Sequence, residues 1–271
     1  MNLNTDQTLG FLGYGNMGSA ILEGLVKLKV WPAERAVVFD PSEERQALGR
    51  TLGVEVADSP QALAATSDVL VLAVKPQVMG DALAEIKDSV KPGTLAISIA
   101  AGVSIGFIAD KLGGQVRVAR VMPNTPCLAH AGAAGIALGP GCTEDDETLV
   151  AALFNTIGMS VLVQESELDA VTAVSGSGPA YFFYLVECLT QAGVEEGLSE
   201  DVAQALAAQT LYGAGRLLHS SEDDAAELRR KVTSPGGTTA AALAQYEADD
   251  LAGVVRRAVK AAADRSRELG Q

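Results

Sequence analysis

Hydrophobic and polar positions along the first half of the chain fall into blocks, each with the length and spacing of a strand or a helix. Thr8 to Leu12 (TLGFL) is a short apolar run that predicts a strand, and Ser19 to about Lys29 carries helical spacing. Ala36 to Phe39 predicts the next strand. Asp68 to Val74 (DVLVLAV) is almost continuously apolar, the pattern of a strand covered on both faces of a parallel sheet. A helical stretch through Asp88 follows, then strands at Thr94 to Ala100 and Gln115 to Val121. After about Val163 the strand patterns cease. Helical spacing then covers Ala180 to Glu196, Ser199 to Leu218, Ala225 to Lys231 and Thr239 to Leu269. Strands alternating with helices, then helices alone, predict an α/β domain over 1–163 and an all-α domain over 164–271.

Between the first strand and the first helix stands Gly13-Tyr14-Gly15-Asn16-Met17-Gly18. This is G-x-G-x-x-G in the context it requires, with an acid, Asp40, closing the second strand about 20 residues on. The first glycine permits a tight turn, the second lets backbone approach a pyrophosphate, and the third lets helix pack on strand. The N–H groups opening the helix then face the phosphates. The α/β half is therefore a Rossmann-type dinucleotide-binding domain. Its other strands end in loops of the same kind: Lys75-Pro76-Gln77, Ala101-Gly102-Val103 and Met122-Pro123-Asn124-Thr125-Pro126. Such carboxyl-end loops line the ligand crevice of an open parallel sheet. Asp40 at this place accepts from a ribose 2′-OH and favours NAD, whereas Ser42 and Arg45 close behind suit a 2′-phosphate. NADH and NADPH both stay open.

Composition narrows the partners. The chain has 271 residues, 48% of them hydrophobic, and a formal net charge of −14. That charge would be repelled by nucleic acid and by anionic membranes. No apolar run reaches the roughly 20 residues of a membrane span, and the N-terminus lacks a basic, then apolar, signal pattern. The compartment expected is the cytoplasm. Cys127, Cys142 and Cys188 form no C-x-x-C pair, and His130 and His219 have no ligand-like neighbours, so no metal site is expected. The acidic run Glu144 to Glu147 reads as a solvated helix start. In the helical half, small and apolar residues cover broad faces, as in AQALAAQTLYGAGRLL. A bundle so apolar either shares its core with a second copy or stands alone.

A second glycine turn, Ser234-Pro235-Gly236-Gly237-Thr238-Thr239, opens the last helical stretch. Unpartnered N–H groups and about half a positive charge make such a place attractive to an anion. The pyrophosphate already has Gly13 to Gly18, which leaves this nest for a substrate carboxylate. An ordinary helix start, with Thr238 or Thr239 capping backbone, fits the same residues.

Taken in order, FLGYGNMG, AVKPQ, SIAAGV, MPNTP, AVSGSGPAY and SPGGTT resemble the motifs of the pyrroline-5-carboxylate reductases over essentially the whole chain. The resemblance implies a helical domain that interlocks with that of a second subunit, the dimers assembling in many members into rings. It implies NADH or NADPH held by Leu12 to Met17, Val74, Lys75 and Ala101, with looser matches at Ser59 and Asn124. A cyclic imino acid is expected with its carboxylate on the N–H groups of Thr238 and Thr239, the Thr239 hydroxyl facing the ring nitrogen. Glu165 matches an acidic residue near the substrate. The reaction implied is reduction of L-1-pyrroline-5-carboxylate to L-proline by hydride transfer to the C=N carbon. Where many members have uncharged residues at the 2′-phosphate, this chain has Asp40-Pro41-Ser42.

Two other classes share parts of the pattern. A β-hydroxyacid dehydrogenase needs a base, usually a lysine in the helix after a glycine-rich turn, and Ser175 through Gln191 contain none. A non-catalytic dinucleotide-binding regulator would bind cofactor without turnover and would have no need of SPGGTT.

Overall fold

The computed structural model describes residues 6–270, so the extreme N-terminus read above for targeting patterns lies outside it. The chain forms two compact units, Met1–Ser177 with Ala262–Gln271, and Gly178–Ala261. The division expected near residue 163 thus lies inside the first unit. Leu168 and Ala173 are fully buried, and Leu168 belongs to the core under the sheet, which keeps the segment through Ser177 with that sheet.

In the first unit, β1 (Leu9–Leu12) leads into α1 (Asn16–Lys27) and β2 (Ala36–Phe39) into α2 (Glu43–Leu52). The short β3 (Glu55–Val56) leads into α3 (Pro60–Thr66), and β4 (Val69–Leu72) into α4 (Pro76–Ile86). Next come β5 (Leu95–Ser98), α5 (Ile105–Lys111) and β6 (Arg117–Met122). Two further strands, β7 (Gly132–Leu138) and β8 (Gly158–Leu162), flank α6 (Glu144–Asn155). Last, α7 (Leu168–Val171) runs into a π-helical turn at Thr172–Gly176. The sheet order is β3-β2-β1-β4-β5-β6-β7-β8. The first six strands are parallel, and their order reverses between β1 and β4, the place where doubly wound sheets bind ligand. β7 runs antiparallel to β6, and β8 parallel to β7.

Alternation along the strands divides the core between the two faces of the sheet. Leu9, Phe11, Val69, Val71, Leu95 and Ile97 pack with α1 and α6. Leu12, Leu70, Leu72 and Ala96 pack on the other side with Leu63, Met79, Leu83 and Ile108. The acidic run starts α6 as expected but is not wholly solvated. Asp146 is 5% exposed, closes a capping box with Thr143 and pairs with Arg117 Nε at 3.0 Å.

The second unit carries α8 (Gly178–Glu195), α9 (Glu200–Ser220), α10 (Ala225–Lys231) and α11 (Thr238–Ala248), with α12 (Leu251–Leu269) continuing from Leu251. The single helix expected from Thr239 to Leu269 is therefore two. Asp250 adopts positive φ (54°), and its Oδ1 accepts from Gly253 N–H at 3.1 Å, so it ends one helix and caps the next. Small residues alone are buried in this unit: Gly178, Ala203, Ala207 and Gly253. Phe182, Phe183 and Tyr184 are 54%, 59% and 68% exposed, though adjacent residues point to different sides of a helix. A helix apolar on several sides and exposed on all of them is built to be covered.

Candidate functional site

Each residue read as cofactor-binding follows the end of a parallel strand. Gly13 to Gly18 follow β1, Asp40 and Ser42 follow β2, and Ser59 follows β3. Val74 to Pro76 follow β4, Ala101 and Gly102 follow β5, and Asn124 follows β6. Leu12, buried at the end of β1, delivers the first loop.

Two of the three loop glycines are required by the packing of the chain itself, and the third stands beside open space. Gly13 has φ +93°, and a Cβ there would lie 2.8 Å from the Ala73 carbonyl oxygen on the neighbouring chain segment. A Cβ on Gly18 would lie 2.9 Å from the Gly13 oxygen, so α1 packs too closely on the loop to admit one. Around Gly15 there is nothing within 4 Å of such an atom. Gly15 is also the N-cap of α1, with no side chain to cover the first-turn N–H groups. Free donors beside open space fit a pyrophosphate.

Asp40 does more than end a strand. Its Oδ2 accepts from Tyr14 N–H at 2.8 Å and its Oδ1 from Ser42 N–H at 2.9 Å. The carboxylate thereby staples the phosphate loop to the β2–α2 turn. Arg45 reaches across from the first turn of α2 to donate to Asn16 Oδ1 at 3.0 Å. Ser42 and Ser59 cap α2 and α3, their hydroxyls accepting from Arg45 and Ala62 N–H. Lys75 stands exposed at the N-cap position of α4, with Pro76 in its first turn. Asn124 is buried, its amide donating to the Ser175 carbonyl at 3.0 Å and accepting from Ala133 N–H at 2.8 Å. It joins the loop after β6 to the π turn and to β7. Met17 lies against the buried Cys127, sulfur to sulfur at 3.3 Å.

The Tyr14 ring is fully buried and its hydroxyl has no hydrogen-bond partner. Burial, followed by the Glu23 charge, pushes the phenol up to about 12. Leaving a buried hydroxyl unpaired costs about 1–3 kcal/mol. Tyr14→Phe is therefore expected to hold or raise the melting temperature without weakening cofactor binding, read by calorimetry and by titration.

Glu165 lies on the turn before α7, and its Oε1 accepts from Ile105 N–H at 2.7 Å and from Arg120 Nη1 at 3.3 Å. Arg120 is 8% exposed, and sequence reading did not single it out. Its signal was an arginine in the middle of a strand (RVARVM) with apolar residues on both sides of it, where a buried charge requires a partner.

In the second unit, Gly236 takes positive φ (69°) and Gly237 is the N-cap of α11. A Cβ on Gly237 would meet Ser234 Oγ at 2.4 Å, so the turn is tight. Neither the Thr238 nor the Thr239 hydroxyl enters a hydrogen bond among the described residues. Of the two, Thr238 is exposed and Thr239 half-buried. The helix thus opens with free N–H groups, the cap residue being unable to cover them. Among the described residues no cluster of His, Cys, Asp or Glu has the makings of a metal site, and no helix is long and apolar enough to cross a membrane.

Known proteins fit this arrangement. Residues 165–269 match the family described as pyrroline-5-carboxylate reductase dimerisation, and residues 8–102 match NADP oxidoreductase coenzyme F420-dependent. The chain is 40% identical to the pyrroline-5-carboxylate reductase of Pseudomonas aeruginosa over 97% of each sequence. The solved pyrroline-5-carboxylate reductase of Coxiella burnetii is 34% identical and superposes with a TM-score of 0.93, covering 98% of this chain and 99% of that one. The Plasmodium falciparum pyrroline carboxylate reductase, solved with NADP bound, is 33% identical with a TM-score of 0.87 and the same coverage. A Rossmann-type sheet, a helical segment matched as a dimerisation domain and near-full-length identity to these enzymes place the chain in the pyrroline-5-carboxylate reductase family.

Proposed function

We propose that this protein reduces L-1-pyrroline-5-carboxylate to L-proline with NADPH or NADH. The observation that carries the substrate assignment is the uncovered start of α11. A glycine caps it, both threonine hydroxyls are unengaged, and the chain's dinucleotide loop lies elsewhere. The free N–H groups of Thr238 and Thr239, in the turn built by Ser234 and Gly237, bind the substrate carboxylate. Thr239 Oγ1 hydrogen-bonds the ring nitrogen, accepting from its N–H while the imine is protonated, and keeps the ring in one orientation. The cofactor, when bound, supplies the hydride. What the chain contributes is positioning, which is worth up to about 7–11 kcal/mol when the geometry is ideal. A protonated cyclic imine is already electrophilic, so a catalytic base is not required. The α8 sequence contains no lysine, which fits imine reduction and not alcohol oxidation.

Initial rates of NADPH and NADH oxidation with pyrroline-5-carboxylate test the reading. Turnover with either supports it; tight cofactor binding without turnover would sink it.

Asp40 bears on the cofactor. Its two oxygens hold loop backbone, so Asp40→Ala loosens the phosphate loop and weakens both cofactors together. A removed 2′-phosphate repulsion would instead raise NADPH affinity alone. Titrating both nucleotides against the variant separates the two, and parallel weakening of roughly tenfold is expected, matching two lost charge-assisted hydrogen bonds offset by solvation.

The apolar exposure of α8 and α9 supports a homodimer; rings of dimers and a cytoplasmic location are what the family resemblance implies. Sedimentation at several concentrations reads the assembly directly.

A further inference from the structure

The segment matched to the dimerisation family runs from 165 to 269, and its two ends, both within the first unit, flank the loop after β5. At one end, Glu165 Oε1 accepts from Ile105 N–H, the first residue of α5, at 2.7 Å while pairing with the buried Arg120. At the other end, the last turn of α12 lies on Gly102. A Cβ on Gly102 would sit 3.1 Å from the Leu269 carbonyl, and one on Gly270 would sit 2.8 Å from the Gly102 oxygen. Gly102 is held at φ +78°. The end of α12 is itself fixed, since Ser266 is 5% exposed and its hydroxyl donates to Asp169 Oδ1 at 2.6 Å. Between these two grips lie Val103 and Ser104, and Ala101 directly precedes them in the loop after β5.

We infer that Glu165 and the α12 C-terminus form a clamp that sets the β5–α5 loop for the cofactor, so that Glu165 is a positioning residue and not a substrate ligand. The inference rests on the reading that Ala101 and Gly102 contact the cofactor. The physical argument is that a loop containing a glycine at positive φ has a soft backbone. It holds one shape only where neighbours fix both ends. Here a charged acceptor fixes the helix side, and close backbone packing fixes the strand side. Both neighbours belong to the first unit itself, so the loop is held from within that unit.

The test uses the full-length enzyme and two readouts: NADPH affinity by nucleotide fluorescence without imine, and the imine KM at saturating NADPH. Glu165→Ala is expected to weaken NADPH by about tenfold or more, the scale of one lost hydrogen bond to a charged group, and to leave the imine KM unchanged. Glu165→Gln keeps an oxygen for Ile105 N–H and is expected to recover most of the loss. Gly102→Ala, pressing on Leu269 and Gly270, is expected to reproduce the alanine phenotype from the other side. If Glu165→Ala fails to fold, Ser266→Ala carries the same expectation. A raised imine KM with normal NADPH affinity in Glu165→Ala would make Glu165 a substrate ligand and overturn the clamp. Weakened NADPH in Gly102→Ala with normal NADPH in Glu165→Ala would also overturn it, leaving the loop's contact with cofactor standing. Normal NADPH in both would overturn the clamp and that contact together.

Discussion

Replacing Thr239 by alanine is expected to lower kcat/KM for the imine roughly tenfold to a hundredfold. A hydrogen bond to a charged group is worth about 1.5–3 kcal/mol, and each 1.4 kcal/mol is a factor of ten. In the proposed mode the substrate stays bound by its carboxylate on the backbone, so the expected loss reflects the ring's orientation and not the anchoring of the acid. Thr239 is half-buried, which lets its hydroxyl face a ligand with little competition from water. Thr238 is exposed, and in the reading above only its backbone N–H is used. Thr238→Ala is accordingly expected to stay near wild type, and Thr239→Ser to keep most of the activity. Steady-state kinetics on the three variants, with NADPH affinity measured separately, decide the matter. Equal losses at the two threonines, or full activity in Thr239→Ala, would remove the hydroxyl from the reaction.

The parts of this molecule that could be read from sequence are those where one residue type answers one steric demand. G-x-G-x-x-G located the α1 start because Gly13 and Gly18 have no room for a Cβ and Gly15 opens the helix beside open space. The five predicted strands were legible because a strand buried on both faces is almost wholly apolar. β7 and β8 escaped notice, since GAAGIAL is mostly small and GMSVL lies half-exposed at the sheet edge. The break at Asp249–Asp250 was hidden by helical spacing on either side; its cause is one aspartate in a left-handed conformation. Long-range polar partners were the least legible. Asp40 holding Tyr14, and Glu165 holding Ile105, depend on which segments the topology brings together. Local sequence carries no trace of such pairings. The carboxylates were visible as residues that a ligand could use, while their hydrogen bonds to the chain itself were not.

Gly13 and Gly15, two residues apart in one loop, are expected to fail in opposite ways. Gly13→Val forces a branched residue to φ +93° and places its Cβ against the Ala73 backbone, where no side chain can swing aside. Positive φ costs roughly 1–2 kcal/mol and overpacking about 1–3, so the fold loses on the order of 2–5 kcal/mol. At roughly 2–4 °C per kcal/mol in chains of this size, the melting temperature falls markedly. Gly15→Ala meets no atom within 4 Å and sits at φ −71°, which any residue adopts. Its melting temperature is expected to match wild type. The methyl group instead occupies the open space at the start of α1, and NADPH binding weakens by about 1–3 kcal/mol, the usual scale of overpacking. Calorimetry of the free protein and titration with NADPH give the two axes. A Gly15→Ala enzyme that binds NADPH normally would mean that the pyrophosphate does not approach the backbone there. The open space beside Gly15 would then have no bearing on the cofactor, and the phosphate role of the loop would rest on its other N–H groups alone.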